Sequence, residues 1–236
     1  MQCLILAGGL GTRMRPYTEA IPKAMIPVAG KPFIHYQLKL LASQGVQSVV
    51  LAIGYLGSHI RDYVQDGRAW HLTVDYIDEG KDLLGTGGAL RLACDSGLLN
   101  NEFFVMYGDS YLRAPFVEIK NAFSRLGNPA LLTVFKNVGL WDKSNVIFDK
   151  ERVQLYDKWS THSKLEYIDY GLAVFQRTII GQFFPAGEKG DLAHMLHDLS
   201  LKGLLAGFEV KERFFEIGSR DGLSSFETWV RDQRYD

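Results

Sequence analysis

The sequence predicts an α/β protein: a doubly wound, mostly parallel central sheet with a small antiparallel extension. Apolar runs of strand length alternate with helical patterns through the first half, the signature of βαβ units. The first run, residues 2–6, is apolar on both faces, as a buried parallel strand is. A glycine-rich loop follows it directly, at the carboxyl end of a strand, where open α/β sheets bind ligands.

The elements follow in order. Pro32 suits the first turn of a helix in which Ile34, Leu38 and Leu41 repeat at helical spacing before Gly45 stops it. Residues 46–53 predict the second strand, 59–64 a helix and 73–77 a third strand. A second glycine-rich loop then precedes a helix around 89–93, and a fourth strand at 103–107 ends at Gly108-Asp109. Residues 117–126 predict a helix and 130–135 a strand. Beyond them the style changes to short strands at 146–148, 152–156 and 172–175, expected as an antiparallel appendage at the sheet's edge. Helices at 192–201 and 223–230 close the chain, with the apolar pair Phe214-Phe215 between them. No repeat or Pro/Ser linker divides it, so one domain is expected over 1–236, in two halves that meet at about residues 112–113.

Composition excludes several functions. Lys+Arg number 26 against 27 Asp+Glu, a net charge of −1, which argues against a nucleic-acid groove. Two cysteines, Cys3 and Cys94, offer neither a disulfide framework nor a thiolate metal site, and none of the six histidines is expected beside a Cys or carboxylate at ligand spacing. With no leader and no run approaching the 18 or so apolar residues of a membrane span, a cytoplasmic protein without membrane contact is expected. Trp70, Trp141, Trp159 and Trp229 are expected to pack rather than to serve as stacking platforms. The 24 glycines are an excess, since about 7% is usual.

Those glycines concentrate in two loops. In the first, Leu6-Ala7-Gly8-Gly9-Leu10-Gly11-Thr12-Arg13, missing Cβ atoms let backbone N–H groups approach phosphate oxygens, and Arg13 and Arg15 add charge. Met14 stands where a dinucleotide fingerprint needs its third glycine, and no Lys-Ser/Thr follows as in a Walker loop. Pro16, Pro22-Lys23 and Gly30-Lys31-Pro32 complete the pattern.

Together these residues resemble the signature of the sugar-1-phosphate nucleotidyltransferases (NDP-sugar pyrophosphorylases), and weaker similarity continues to the C-terminus. The resemblance implies a Rossmann-like, GT-A-like nucleotidyltransferase fold. It also implies the reaction of a nucleoside triphosphate with a sugar 1-phosphate to give an NDP-sugar and pyrophosphate, for nucleotide-sugar and cell-surface polysaccharide synthesis. Transfer of this kind needs cations and positioning more than a protein nucleophile. By the same resemblance Arg13, Lys23 and Asp109 are catalytic, and Leu6, Ala7, Gly8, Gly9, Gly11, Thr12, Arg13 and Lys23 bind nucleotide. Asp109 is equated with the metal aspartate and Glu216, where relatives often carry Asp, with a second carboxylate for Mg²⁺; Glu216 could equally cap the next helix. The second loop, Gly85-Thr86-Gly87-Gly88, is implied to meet the nucleobase, with Thr86 able to cap the helix it opens. Its form is similar to that in guanylyltransferases for heptose 1-phosphate (D-glycero-alpha-D-manno-heptose) or mannose 1-phosphate and leans towards GTP, with UTP as the alternative. Asp157-Lys158 resembles the pair that contacts the sugar phosphate. Asp169 and Gly171 fall where many relatives have N-A-G, and Asp169 either binds a sugar hydroxyl or closes a turn. The sequence ends too early for the β-helix domain some relatives carry; a homo-oligomer is possible. The rivals are a molybdopterin guanylyltransferase, which lacks the proline-rich insert, and a catalytically silent nucleotide sensor or scaffold, which would need none of Arg13, Lys23 and Asp109.

Overall fold

The computed structural model describes residues 1–137, 143–160 and 164–233. Strand β1 (Gln2–Leu6) leads through a loop of short 3₁₀ turns to the two-stranded ribbon β2 (Pro27–Val28) and β3 (Lys31–Pro32). Then come α1 (Phe33–Ser43), β4 (Ser48–Ile53), α2 (Gly57–Val64), β5 (Thr73–Asp78), α3 (Gly85–Asp95) and β6 (Glu102–Tyr107). β7 (Ser110–Tyr111), α4 (Phe116–Leu126), β8 (Ala130–Lys136), β9 (Val146–Asp149), β10 (Arg152–Tyr156) and β11 (Tyr167–Gln176) follow. The chain continues through α5 (Arg177–Ile180), α6 (Leu192–Leu201), β12 (Leu205–Glu209) and β13 (Phe215–Glu216) to α7 (Arg220–Asp232).

Nine strands form one sheet in the order β5-β4-β1-β6-β11-β8-β12-β10-β9. The first four are parallel, and β1 alternates its side chains between two cores as a doubly covered strand must. Cys3 and Ile5 join α1, α2 and α4 on one face, while Leu4 joins α3, α5 and α6 on the other. A third apolar cluster lies outside these layers. There Phe226 and Val230 of α7 meet Phe33, Tyr36 and Leu40 of α1, together with Met14 and Ile26 from the first loop.

Two expectations change. The run at 172–175 is the end of a ten-residue strand, β11, lying antiparallel between β6 and β8 in the middle of the sheet. A buried central strand and a short edge strand carry the same apolar signal, so periodicity could not place it. β12, parallel to β8, was not expected at all; its sequence Leu-Ala-Gly-Phe-Glu has too little alternation to announce a strand. β9 and β10 do form the antiparallel edge. Among the described residues no helix is long and apolar enough to cross a membrane. Trp70 is buried and Trp229 packs in the third cluster, but Trp159 is 52% exposed and stacks on His194 at 4.7 Å. It is the residue whose expected packing fails; Trp141 lies outside the described residues.

Candidate active site

The chain leaves β1 towards β4 and β5 on one side and returns to β6 on the other. The loops after β1 and β6 therefore diverge, and a crevice opens at their carboxyl ends. It holds a cleft of about 110 Å³ bounded by Leu6, Ala7, Gly9 and Gly11 from the first loop, Lys23 and Ala24, and Tyr107, Gly108 and Asp109 from the second.

Lys23 Nζ donates to Asp109 Oδ2 at 2.9 Å, with the two side chains 17% and 25% exposed. Each is held in place by the backbone and side chains around it. Lys23 opens a 3₁₀ turn after Pro22, whose carbonyl accepts from Met25 N, and the turn is pinned by buried Ala24 and Ile26. Gly11 precedes it with a positive φ of 61°, and its carbonyl accepts from Thr18 Oγ1. Asp109 follows Gly108, whose N–H donates to Leu6 O and whose Cα packs so closely on Ala7 that a Cβ would lie 2.9 Å from that residue. Gln37, buried in α1, clamps the same turn by donating to both Tyr107 O and Ser110 O. Ile217 N then donates to Asp109 O from the other side. Sequence reasoning missed Gln37 because a lone glutamine inside an apolar helix carries no motif; its only signal is a polar residue on the buried face.

The remaining expected residues divide. Thr12 and Arg13 lie in an exposed 3₁₀ turn. Arg13 is outside the cleft's lining, and its guanidinium borders Gly218, where a Cβ would approach it to 3.2 Å. Glu216 pairs across β13 with Ser110, the neighbour of Asp109. Its carboxylate is turned into its own bend, accepting from Gly218 N at 2.5 Å and Ser219 Oγ at 2.7 Å. Ser219 in turn caps α7 through Gly222 N, so in this arrangement Glu216 supports the helix start. Among the described residues no cluster of three or more His, Cys, Asp or Glu is placed to hold a metal. Asp109 by itself remains a hard oxygen ligand, and the Lys23 ammonium on it marks a place for positive charge.

The second glycine loop is the first turn of α3 rather than a loop. Gly85 and Thr86, with Leu6, Gly8, Gly9, Glu79, Leu83 and Ala89, border a recess of about 150 Å³. Gly87 and Gly88 face elsewhere. A Cβ on Gly87 would overlap the Phe184 ring, one on Gly88 would lie 2.6 Å from Glu188 O, and Gly87 N donates to Gly190 O. Their missing side chains thus admit the 184–190 segment. Nor does Thr86 cap its own helix, whose N-cap is Leu84; it accepts from Leu192 N and donates to Asp191, the N-cap of α6.

On the other flank Asp157 Oδ1 accepts from Trp159 N and Ser160 N, bonds that hold its carboxyl below the usual range. Lys158 pairs with Asp191 Oδ2 at 3.3 Å. Asp169 accepts from Gly171 N and from the Tyr156 hydroxyl, and burial pushes its carboxyl up to about 6. Gly171, at φ 91°, lies against the Tyr107 ring that also borders the cleft. Asp169 therefore both closes a turn and reaches the interior beside the cleft. Asp191, which joins Thr86 to Lys158, was not expected from the sequence.

A mixed α/β sheet with a cationic and an acidic side chain paired where the β1 and β6 loops diverge has the groups to receive a phosphate. Residues 2–140 match the model of the nucleotidyl transferase family, and the chain belongs to that family. The chain is similar to D-glycero-alpha-D-manno-heptose 1-phosphate guanylyltransferase of Campylobacter jejuni, 28% identical over 78% of this chain and 79% of that protein. It is also similar to a probable mannose-1-phosphate guanylyltransferase of Oryza sativa subsp. japonica, 33% identical over 70% of this chain and 46% of that one. Several curated relatives are about twice the length the chain matches. Among solved structures, HddC of Yersinia pseudotuberculosis aligns over 97% of this chain and 99% of its own, at 26% identity and a TM-score of 0.77, and has been solved complexed with GMP-PN.

Proposed function

We propose that the protein joins a nucleoside triphosphate to a sugar 1-phosphate, releasing pyrophosphate, with GTP as the nucleotide and a heptose or mannose 1-phosphate as the acceptor. The observation that carries this reading is the Lys23–Asp109 pair at 2.9 Å in the crevice between the β1 and β6 loops. Support comes from the resemblance to heptose and mannose 1-phosphate guanylyltransferases.

In this reading the triphosphate lies along the Gly8–Thr12 backbone, whose glycines leave N–H groups open to phosphate oxygens. Lys23 leaves Asp109 for the α-phosphate, where a compact ammonium offsets charge as the sugar-phosphate oxygen attacks and pyrophosphate departs. Arg13, at the mouth, takes the leaving pyrophosphate. Asp157, Lys158, Asp169 and Gly171 form the sugar-phosphate side, Lys158 exchanging Asp191 for the incoming phosphate. Asp109 suits Mg²⁺, which takes one or two carboxylates and completes its shell with phosphate and water; when bound the ion neutralises developing phosphate charge. Glu216 is the second candidate ligand and would have to give up its bonds to Gly218 and Ser219. The chain acts as a single domain in the cytoplasm, free of membrane and nucleic acid, alone or as a homo-oligomer.

The test is pyrophosphate release from a matrix of nucleoside triphosphates and sugar 1-phosphates, with Mg²⁺ and with excess chelator. Turnover by a GTP pair that chelator abolishes is expected. Nucleotide binding without turnover for any pair would point to a silent relative instead.

A further inference from the structure

Helix α1 turns two apolar stripes inward, Ile34, Leu38 and Leu41 into the first core and Phe33, Tyr36 and Leu40 into the third cluster. Gln37 lies between the stripes and is fully buried. A methionine of similar volume would serve the packing on both sides. The amide instead directs its two N–H groups to backbone outside its own helix, Nε2 donating to Tyr107 O at 2.9 Å and to Ser110 O at 2.8 Å. Its Oε1 is buried and has no hydrogen-bond partner among the described residues.

An acceptor left unpaired in the interior loses its hydration and gains nothing in exchange. A buried orphan of this kind calls for a reason, and the two bonds made by Nε2 supply one. They grip the chain on both sides of Asp109, two residues before it and one after, and so staple the 107–110 turn to a rigid helix. Gly108 N donates to Leu6 O, Ile217 N to Asp109 O, and Ser110 Oγ to Asp109 Oδ1 at 3.3 Å. Each of those bonds fixes one point of the turn, whereas Gln37 holds both of its ends. Without the staple the turn can drift and carry the carboxylate away from Lys23. At a centre that works by positioning, a displacement of about 1 Å is enough to cost about 100-fold in rate.

We propose that Gln37 is a positioning residue for the transfer reaction: its amide fixes Asp109 opposite Lys23, and the fold tolerates the unpaired Oε1 in return for that placement. The inference rests on the reading of the crevice as a nucleotidyltransferase centre, and it adds a residue that lies outside the cleft's own lining.

The experiment measures kcat and both KM values, with one accepted pair of substrates, in the wild type, Gln37→Met, Gln37→Glu, Asp109→Ala and the Gln37→Met, Asp109→Ala double variant. Gln37→Met conserves volume and removes the donors and the orphan oxygen together. It should fold, and lose about tenfold or more in kcat while both KM values stay within about threefold of wild type. In the Asp109→Ala background the same substitution should cost less than about threefold, because its effect passes through Asp109. Gln37→Glu sets a carboxylate against two carbonyl oxygens, and burial and that repulsion push its carboxyl above the ordinary range. Once protonated it has an O–H to donate to one of the carbonyls. Its kcat relative to wild type should therefore rise as pH falls from about 9 to about 6. The proposal is overturned by a Met variant with kcat within about threefold of wild type, or by a full second loss on top of Asp109→Ala. A Glu-to-wild-type ratio that is flat with pH overturns it as well, and so does a Met variant that does not fold, since Gln37 would then serve the fold alone. If only the Glu variant fails to fold, the cycle with Asp109 decides. Failure of the wild type with every substrate pair would defeat the reaction itself, a result distinguishable from all of these.

Discussion

Lys23 and Asp109 are 86 positions apart and meet at 2.9 Å, and the strength of that contact depends on what surrounds it. Both are mostly sheltered, so the pair is only partly screened by solvent. Asp109→Ala should lower kcat by at least about 100-fold, the scale of losing one preorganised charged group at a transition state, while far-UV circular dichroism stays unchanged. Near-normal kcat would remove Asp109 from the centre. Asp169 is governed by burial instead. With its carboxyl raised to about 6 against an ordinary 3.8, the folded state binds more protons than the unfolded chain between about pH 4 and 6, so stability falls as pH rises through that window. Asp169→Asn keeps an oxygen for Gly171 N and removes the charge. The variant should melt higher than wild type at pH 7 and lose that advantage at pH 4, at the cost of a raised KM for the sugar phosphate. A melting difference independent of pH would refute the assignment.

At the scale of elements, the site depends on close docking of segments with little side chain. Helix α3 begins under the 184–190 segment, and Gly88 packs against the Glu188 carbonyl and the Leu84 side chain, each 2.6 Å from where a Cβ would be. Gly88→Ala should cost about 1–3 kcal/mol, the range for overpacking a rigid contact, and urea unfolding will show it as a lowered midpoint with unchanged m-value. No change in midpoint would mean that the segment moves aside freely. Glycine clusters in a sequence announce close approach but not the partner. Six glycines are expected in the sequence to line one nucleotide pocket; four of them border the cleft or the recess, and Gly87 and Gly88 admit protein backbone and an aromatic ring instead.

For the whole molecule, α7 is the strap that ties the C-terminal segment to the front of the site. Phe226 is fully buried between Phe33, Tyr36, Tyr111 and Phe215, with ring centroids 4.9–5.6 Å apart. Phe226→Ala should cost about 3–5 kcal/mol. Because Ile217 N, just before α7, holds Asp109 O, the variant should lose kcat as well as stability. Full activity at a temperature where the variant is folded would show that the strap has no hold on Asp109.

Sequence by itself determined what local chemistry determines. The parallel strands, the helices from α1 to α4, and the place of Lys23 after the first strand's loop follow from apolar periodicity, Gly and Pro placement and a motif confined to 25 residues, while Asp109 at the end of the fourth strand is singled out by the family resemblance. What only the tertiary structure decided depends on long-range pairing, which leaves no local trace. It put β11 between β6 and β8, since hydrogen-bond partners are chosen by the sheet as a whole. It turned the Glu216 carboxylate into the start of α7, gave Gln37 its hold on the Asp109 turn, and set Glu79 against Gly8. Each of these rests on a contact between residues whose separate sequences carry no sign of each other.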